Sequence, residues 1–441
     1  MARRPPPRFP LPVHARHIVY RIIRPWGRWG VALWHRIDRH VVGVDHLDDR
    51  GPDGPARLLF AGHQNGLADP VLACVLLEPQ LHFFTRADVF RNRWARALLL
   101  RLNMMPIFRP KDRVKDMADR NRATFEAAQQ RLERGATCGI FPEAGHREER
   151  RIRRFRHGSA RFIAGALQRP AVAERGLEVL PMNLDFERYE GYRTAARVRV
   201  AAPIDLSGIP GLAEDAGSAR VVLSDRMRAA LVECSLHLLE GDAYDPHLAV
   251  CRYLEGARGS RVPDATLELA GKQIKAEADT ALRDYQAALD AGWGAPRTSD
   301  DFAAAGRCDA ERSTALLPHL WRLPAWLLFM ATAGWWPRII APAAARRVKQ
   351  VAFRTTFSIP VNMMAVSMTW IVLSLGLGVA MGSPWVVPLS LLLLRGAQHV
   401  AMPLEDALID HRIEGRVSSL PPPRYVERWC RPLLEEAHPA G

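Results

Sequence analysis

The sequence predicts an α/β domain, with a mostly parallel sheet flanked by helices, followed by a C-terminal membrane-embedded helical hairpin. Three observations carry this. Short apolar strand-like runs alternate with helical patterns through the first half of the chain. One of those runs, Leu58–Gly62, opens into His63-Gln64-Asn65-Gly66-Leu67-Ala68-Asp69-Pro70, a strand-to-helix junction. Near the C-terminus, Phe357 to Leu394 holds no charged residue over 38 positions, a run that a soluble core rarely needs.

The elements follow in order. His14 to Arg36 mixes isoleucine, valine and tryptophan with five arginines, so it reads as a helix broken at Pro25. Two readings of it stay open: an amphipathic helix lying in a membrane interface, or a surface helix packed on the domain. Residues 1–45 are therefore set apart as an N-terminal interfacial segment. Leu58–Gly62 is a central strand, and Val71–Leu77 the helix behind it, with Pro70 at its first position and Asp69 as its N-cap. Leu81–Phe84 is a strand, Arg91–Leu102 a helix, and Asn103–Phe108 a short strand ending at Arg109. Met117–Arg134 is a helix stopped by Gly135. Thr137–Phe141 is a buried strand running into Pro142-Glu143-Ala144-Gly145-His146. Leu177–Leu184 and Arg197–Ala202 add two strands, and Val221–Leu239 an amphipathic helix.

These elements make a domain over residues 46–254. Residues 255–318 are polar and helix-prone, Ala265–Leu289 for instance, and read as a helical linker. Residues 319–403 read as membrane-embedded. Leu323–Pro337 is an interfacial or re-entrant segment, and a hairpin of two passes over about 357–403 turns at Gly382-Ser383-Pro384. Residues 404–441 form a tail. Arginines before and after the hairpin place both of its ends on the cytoplasmic side.

The formal net charge of +14 over 441 residues calls for an acidic partner: phosphate groups, an anionic membrane surface or nucleic acid. No nucleic-acid-binding signature appears, so nucleic acid is not expected as a partner. The six cysteines lie apart, without a CxxC pair or a His-Cys cluster, so neither a zinc site nor a disulfide framework is expected. The N-terminus has no apolar core or cleavage site of a signal peptide. Arg147 to Arg161 carries seven arginines against two glutamates. It is either a solvated face or, by its position after the Glu143 loop, the rim of an anion site.

His63 and Asp69 also admit two readings, a loop histidine beside a capping aspartate, or a general base whose tautomer the aspartate fixes. On a continuous helix, a separation of six would turn the two side chains apart. Pairing needs an irregular chain between them, which Asn65-Gly66 supplies.

From about Arg21 to Leu206 these residues resemble the lysophospholipid and glycerol-phosphate acyltransferase superfamily. The family's first motif is a histidine and an aspartate with four residues between them. Here His63 and Asp69 have five residues between them, a longer form similar to a branch containing fungal-type glycerol-3-phosphate acyltransferases. Met105-Pro-Ile-Phe-Arg109 resembles the second motif. Phe141-Pro142-Glu143-Ala144-Gly145-His146-Arg147 resembles the third, Phe-Pro-Glu-Gly-Thr-Arg, with its second half altered. Arg154-Phe-Arg156-His157-Gly158 is similar to the basic element that follows, and Val179-Leu180-Pro181-Met182 to the fourth motif.

The resemblance implies the acyltransferase fold and transfer of a fatty acyl group from a thioester to a glycerophosphate hydroxyl. The donor would be acyl-CoA or acyl carrier protein as co-substrate, with no cofactor and no metal. The acceptor would be a lysophosphatidate-like membrane lipid, with glycerol 3-phosphate as the alternative. His63 and Asp69 would be catalytic. Asn65, Arg109, Glu143, Gly145, Arg147, Arg153 and Arg154 would bind substrate, Arg109 at the phosphate. The chain would sit in the inner membrane with this domain on the cytoplasmic face. A rival of another class is a non-catalytic lipid-binding membrane protein that keeps the fold.

Overall fold

The computed structural model describes residues 18–37, 47, 54–78, 80–143, 145, 149–189, 191–258, 264–291, 293, 298–310, 314–420 and 422–437. The chain divides into two compact units, residues 1–236 with 344–359, and residues 237–343 with 360–441.

In the first unit the helices are α1 (Ile18–Trp34), α2 (Ala68–Leu76), α3 (Arg93–Arg101), α4 (Met117–Glu133), α5 (Gly158–Leu167), α6 (Pro170–Arg175) and α7 (Gly217–Cys234). The strands are β1 (His35–Ile37), β2 (Ala56–Ala61), β3 (Leu81–Arg86), β4 (Met105–Ile107), β5 (Thr137–Ile140), β6 (Leu177–Phe186) and β7 (Thr194–Val200). Among the described residues they form one seven-stranded sheet in the order β1-β7-β6-β2-β5-β3-β4. Every pair is parallel except β6 with β7. The mostly parallel α/β class predicted from the sequence is the observed one.

β2 lies in the middle, paired with β5 and β6, and all six of its residues are buried. A strand covered on both faces must be apolar throughout, which is why Leu58-Leu59-Phe60-Ala61 shows no alternation. β7 alternates buried and half-buried residues, as expected of a strand towards the sheet edge. Over one face, Ala128 and Leu132 of α4, Phe162 of α5 and Leu223, Met227 and Leu231 of α7 share a core with Leu58 and Phe60. α4 also fixes the exit of β4. Thr124 Oγ1 donates to Pro106 O, and the Asn121 carboxamide pairs with both the N–H and the C=O of Phe108.

α1 packs on this unit. Trp29, Val31, Leu33 and Trp34 are buried, and Tyr20 Oη donates to Cys74 O of α2 at 3.2 Å. One face of α1 thus packs on the domain, while Ile22 and Trp26 stay exposed on the other. Three sequence expectations are corrected here. α1 runs through Pro25 without a break. It stops at Trp34, because His35–Ile37 pairs with β7 as a strand. Asp69 does not cap α2: the helix starts at Ala68, and the Asp69 carboxylate turns back to the loop before it.

The second unit holds α8 (Tyr244–Arg258), α9 (Asp264–Ala276), α10 (Ala278–Asp290), α11 (Thr298–Asp309), α12 (Leu323–Phe329) and α13 (Trp336–Arg347), the last of which runs into the first unit. α14 (Val351–Ala380) begins in the first unit and continues into the second, followed by α15 (Val386–Ser418) and α16 (Arg431–Ala437).

The supposed linker and tail build a core together. Tyr253, Leu254, Ile274, Tyr285 and Phe302 are buried with Val417, Tyr425 and Trp429. Tyr425 also hydrogen-bonds to Pro246 O, and Arg307 pairs with Glu414 at 2.6 Å. Neither stretch is therefore a free connector. The predicted helix Ala265–Leu289 is two helices, parted at Glu277.

α14 and α15 are joined by a turn between Met381 and Trp385, and the two differ from the two expected passes. Among the described residues one helix, Phe353–Ala380, is long and apolar enough to cross a membrane. α15 carries Arg395, Glu405, Asp406 and Asp410 within the same helix. Glu405 is buried and accepts from Trp326 Nε1 at 2.8 Å and from Arg338 at 2.6 Å, which ties the predicted re-entrant segment to α15.

Candidate active site

The site is built where β2 and β5 end side by side. Phe60 of β2 pairs with Ile140 of β5, and both strands run the same way, so the His63 loop and the Phe141-Pro142-Glu143 loop leave the same edge of the sheet. Carboxyl ends of parallel strands are where α/β sheets bind ligands.

In the first loop, Gly66 takes a left-handed conformation (φ 48°), which turns the chain back on itself. The turn brings Asp69 under the loop. Its Oδ2 accepts from His63 Nδ1 at 2.8 Å and from the backbone N–H groups of Gln64 and Asn65, each at 2.9 Å. Asp69 is fully buried and His63 partly buried, with 18% of its side chain accessible. Three donors on one carboxylate oxygen lock the aspartate, which holds Nδ1–H of the imidazole and directs Nε2 to any proton transfer. Asn65 is fully buried, and neither atom of its carboxamide has a hydrogen-bond partner among the described residues.

The second loop clamps the imidazole from its face. The Phe141 ring stacks on His63 with centroids 4.3 Å apart, and Phe83 of β3 stacks behind Phe141 at 5.4 Å. The column needs Gly139 in β5, since a Cβ there would lie 2.4 Å from the Phe83 ring. Glu143 is buried and holds Arg153, which donates through Nε at 2.9 Å and Nη2 at 2.6 Å to Oε2. The backbone N–H of Arg153 donates to Oε1, and Nη2 also reaches Gly145 O. Burial raises the Glu143 pKa, against the downward pull of Arg153 and of nearby His63. Glu143 lies close to the dyad: a Cβ on Gly62, the residue before His63, would stand 3.8 Å from Oε1.

Arg109 lies further along the same edge, just past β4. Strand spacing puts β4 about 14 Å from β2, three places away. Its backbone N–H and Nη2 donate to Asp112, its guanidinium is 3.5 Å from Asp88, and its Nε is without a partner among the described residues. Arg86 grips Asp88 in turn, with Nε donating at 3.0 Å. Arg154 is exposed. Arg147 lies outside the described residues, as do Ala144 and His146.

The structure thus joins His63 to Asp69 and Glu143 to Arg153 and Gly145, sets Arg109 apart from both, and leaves Arg154 exposed next to Arg153. Sequence reasoning missed four supports. Phe141 was legible as an aromatic at a strand end, but not as a ring stacked on His63. Tyr189 Oη donates to Gln64 Oε1 at 2.8 Å, and Thr355, at the start of α14, donates to Tyr189 O. Arg150 is buried, donates to Phe186 O at 2.6 Å and stacks over the Tyr189 ring at 4.6 Å. A contact spanning 125 residues leaves no local signal in a sequence.

Residues 41–185 match the Acyltransferase family model. The matched segment contains the His63 loop, Arg109 and the Glu143 loop, so this part of the chain is similar to an acyltransferase domain. Among solved structures the chain is similar to a 1-acyl-sn-glycerophosphate (LPA) acyltransferase, PlsC, from Thermotoga maritima. The identity is 17%, the match covers 50% of this chain and 81% of that one, and the TM-score is 0.36. No curated protein matches the chain.

Proposed function

We propose that the chain transfers a fatty acyl group from an acyl thioester to the hydroxyl of a lysophosphatidate-like acceptor, forming a phosphatidate. The observation that carries this reading is the 2.8 Å pairing of His63 Nδ1 with buried Asp69, at a strand end inside the segment that matches the Acyltransferase model.

A glycerol hydroxyl is a weak nucleophile at neutral pH and needs a base in contact with it. His63 takes the hydroxyl proton on Nε2 while the oxygen attacks the thioester carbonyl. Asp69 stabilises the imidazolium that forms. Collapse of the tetrahedral adduct breaks the C–S bond and makes the ester, and the proton on His63 passes to the departing thiolate. Nothing in the step calls for a covalent acyl-enzyme, a cofactor or a metal.

Arg109 receives the acceptor's phosphate, exchanging its contacts with Asp112 and Asp88 for a charge-assisted pair. Arg154 and Arg147 add positive charge, and Glu143 holds Arg153 and Gly145 in the second loop rather than acting as a base. The unpaired carboxamide of Asn65 favours a role in holding substrate. The donor is acyl-CoA or acyl carrier protein, and glycerol 3-phosphate is the alternative acceptor, in keeping with the longer spacing of the fungal-type branch. α14 is long and apolar enough to cross a bilayer, and the arginines on either side of the hairpin favour the inner membrane with the first unit on the cytoplasmic face, where a lipid acceptor is drawn from the bilayer.

The test offers lysophosphatidate, glycerol 3-phosphate and other lysophospholipids, with a labelled acyl thioester on either carrier, to membranes holding the wild-type chain or His63→Ala. Product made by the wild type and lost in His63→Ala supports the reading and identifies the acceptor. A folded wild-type chain that makes no product with any pair of substrates leaves the lipid-binding alternative standing.

A further inference from the structure

Between β3 and β4 the sheet unit carries a helix that does not bury a stripe. None of the residues of α3 is buried. Trp94 is 72% exposed and Leu98 45% exposed, with Val89 just ahead of the helix at 39%. Surface helices ordinarily turn their apolar stripe inward, so an outward-facing tryptophan and leucine one turn apart need another explanation.

The charges around them supply it. The stretch Arg91–Arg101 has four arginines, at 91, 93, 96 and 101, and no acidic residue. None of the four forms an ion pair among the described residues. Within α3, at about 100° per residue, Leu98 and Arg101 fall within roughly 40° of Trp94 on one face, and Arg91 lies just ahead of the extended N-cap Asn92. Arg93 lies over the Trp94 ring at 4.9 Å. The face is therefore a short apolar strip with Arg93 over its first ring and Arg101 at its far end, about 12 Å further along the helix. Its complement is a surface that offers anionic oxygens and hydrocarbon side by side.

We propose that α3 is an electrostatic docking element for an anionic phospholipid bilayer, with Trp94 and Leu98 entering at headgroup level, Arg93 and Arg101 meeting lipid phosphates, and Arg91 and Arg96 adding to the positive field. The same chain carries a helix, Phe353–Ala380, long and apolar enough to cross a bilayer, which favours this occupant over an acidic protein. The exposed face of α1 repeats the chemistry, since Ile22 and Trp26 are exposed between Arg21 and Arg28. The proposal stands whether or not the chain transfers acyl groups.

The experiment uses the full chain with Trp94→Cys, labelled with an environment-sensitive nitrobenzoxadiazole dye and reconstituted into vesicles of phosphatidylglycerol or of phosphatidylcholine. Labelled wild-type chain corrects for native thiols, of which Cys308 alone among the described residues is not buried. In phosphatidylglycerol the dye should shift to the blue and resist iodide quenching. Raised salt, or Arg→Gln at 91, 93, 96 and 101, should abolish both effects. Water-like emission in both vesicles overturns the proposal, and an equal shift in both removes the electrostatic part. Protection that appears only when acyl carrier protein is added overturns it in favour of a protein partner.

Discussion

At the His63 loop the histidine and aspartate are already locked to each other, whereas at the Arg109 loop the cation is held by carboxylates that a ligand can displace. Asp69 takes three hydrogen bonds of 2.8–2.9 Å on one oxygen. Arg109 meets Asp112 at 3.3 Å and Asp88 at 3.5 Å. The difference suits two tasks. A proton-transfer group gains from a fixed geometry, since misplacement costs rate steeply. A phosphate-binding group must be kept charged and soluble before the ligand arrives, then give up its stand-in partners.

The strongest test of that contrast is at the dyad. His63→Ala should lower turnover about 10²- to 10⁴-fold, the usual worth of a general base. Asp69→Asn should cost a comparable factor, because an amide no longer stabilises the imidazolium. A mutant of either residue that retains most of the wild-type kcat, measured in reconstituted membranes, would break the comparison. Arg109→Ala should instead raise the KM of a phosphate-bearing acceptor about 10- to 100-fold, from the loss of about 1.5–3 kcal/mol of charge-assisted bonding. The kcat should change little. A fall confined to kcat would put Arg109 in the chemical step.

Acid stability separates the chemistry from the fold. Burial depresses His35, beside Thr194 in the sheet unit, and His247, in the helical unit, to about 4. Both stay neutral when folded, and the unfolded chain binds their protons first as pH falls. Their contribution is therefore complete above about 6.5 and is lost as pH drops towards 4, about 2 kcal/mol each by pH 5. Denaturant midpoints between pH 7 and 5 should fall in step, and His35→Gln should flatten part of the slope.

Smaller effects sharpen the picture of the dyad's supports. Gly139→Ala should push Phe83 off Phe141 and cost about 1–3 kcal/mol of stability, read from thermal melts. Unchanged stability and activity would mean that the aromatic column does not brace His63. Tyr189→Phe keeps the ring and removes one hydrogen bond to Gln64. It should cost about 0.5–1.5 kcal/mol and lower kcat modestly at constant KM. An altered KM with kcat intact would dissociate Tyr189 from the histidine loop.

Much of the sheet unit was legible because its signals are local. Leu58–Ala61 is a continuous apolar run, as a buried parallel strand must be, Thr137–Ile140 is short and uncharged, and Asn65-Gly66 marked the turn that lets His63 reach Asp69. The second unit was misjudged for the same reason. Residues 255–318 and 404–441 have too few apolar positions apiece to announce a core, and only their mutual burial around Tyr253, Phe302 and Tyr425 makes one. The second arm of the hairpin likewise read as apolar up to Leu394, while the helix continues through charged residues to Ser418.

The sequence by itself determined the strand cores, the irregular loop between His63 and Asp69, and the basic character of the chain, since each follows from residue type and spacing over a few positions. Only the tertiary structure decided that Asp69 serves the loop rather than capping α2. It alone stacked Phe141 on His63, joined Tyr189 to Gln64 and left Trp94 facing outward. These depend on which strands lie side by side and which faces they cover, and that order is fixed by packing among residues far apart in the chain.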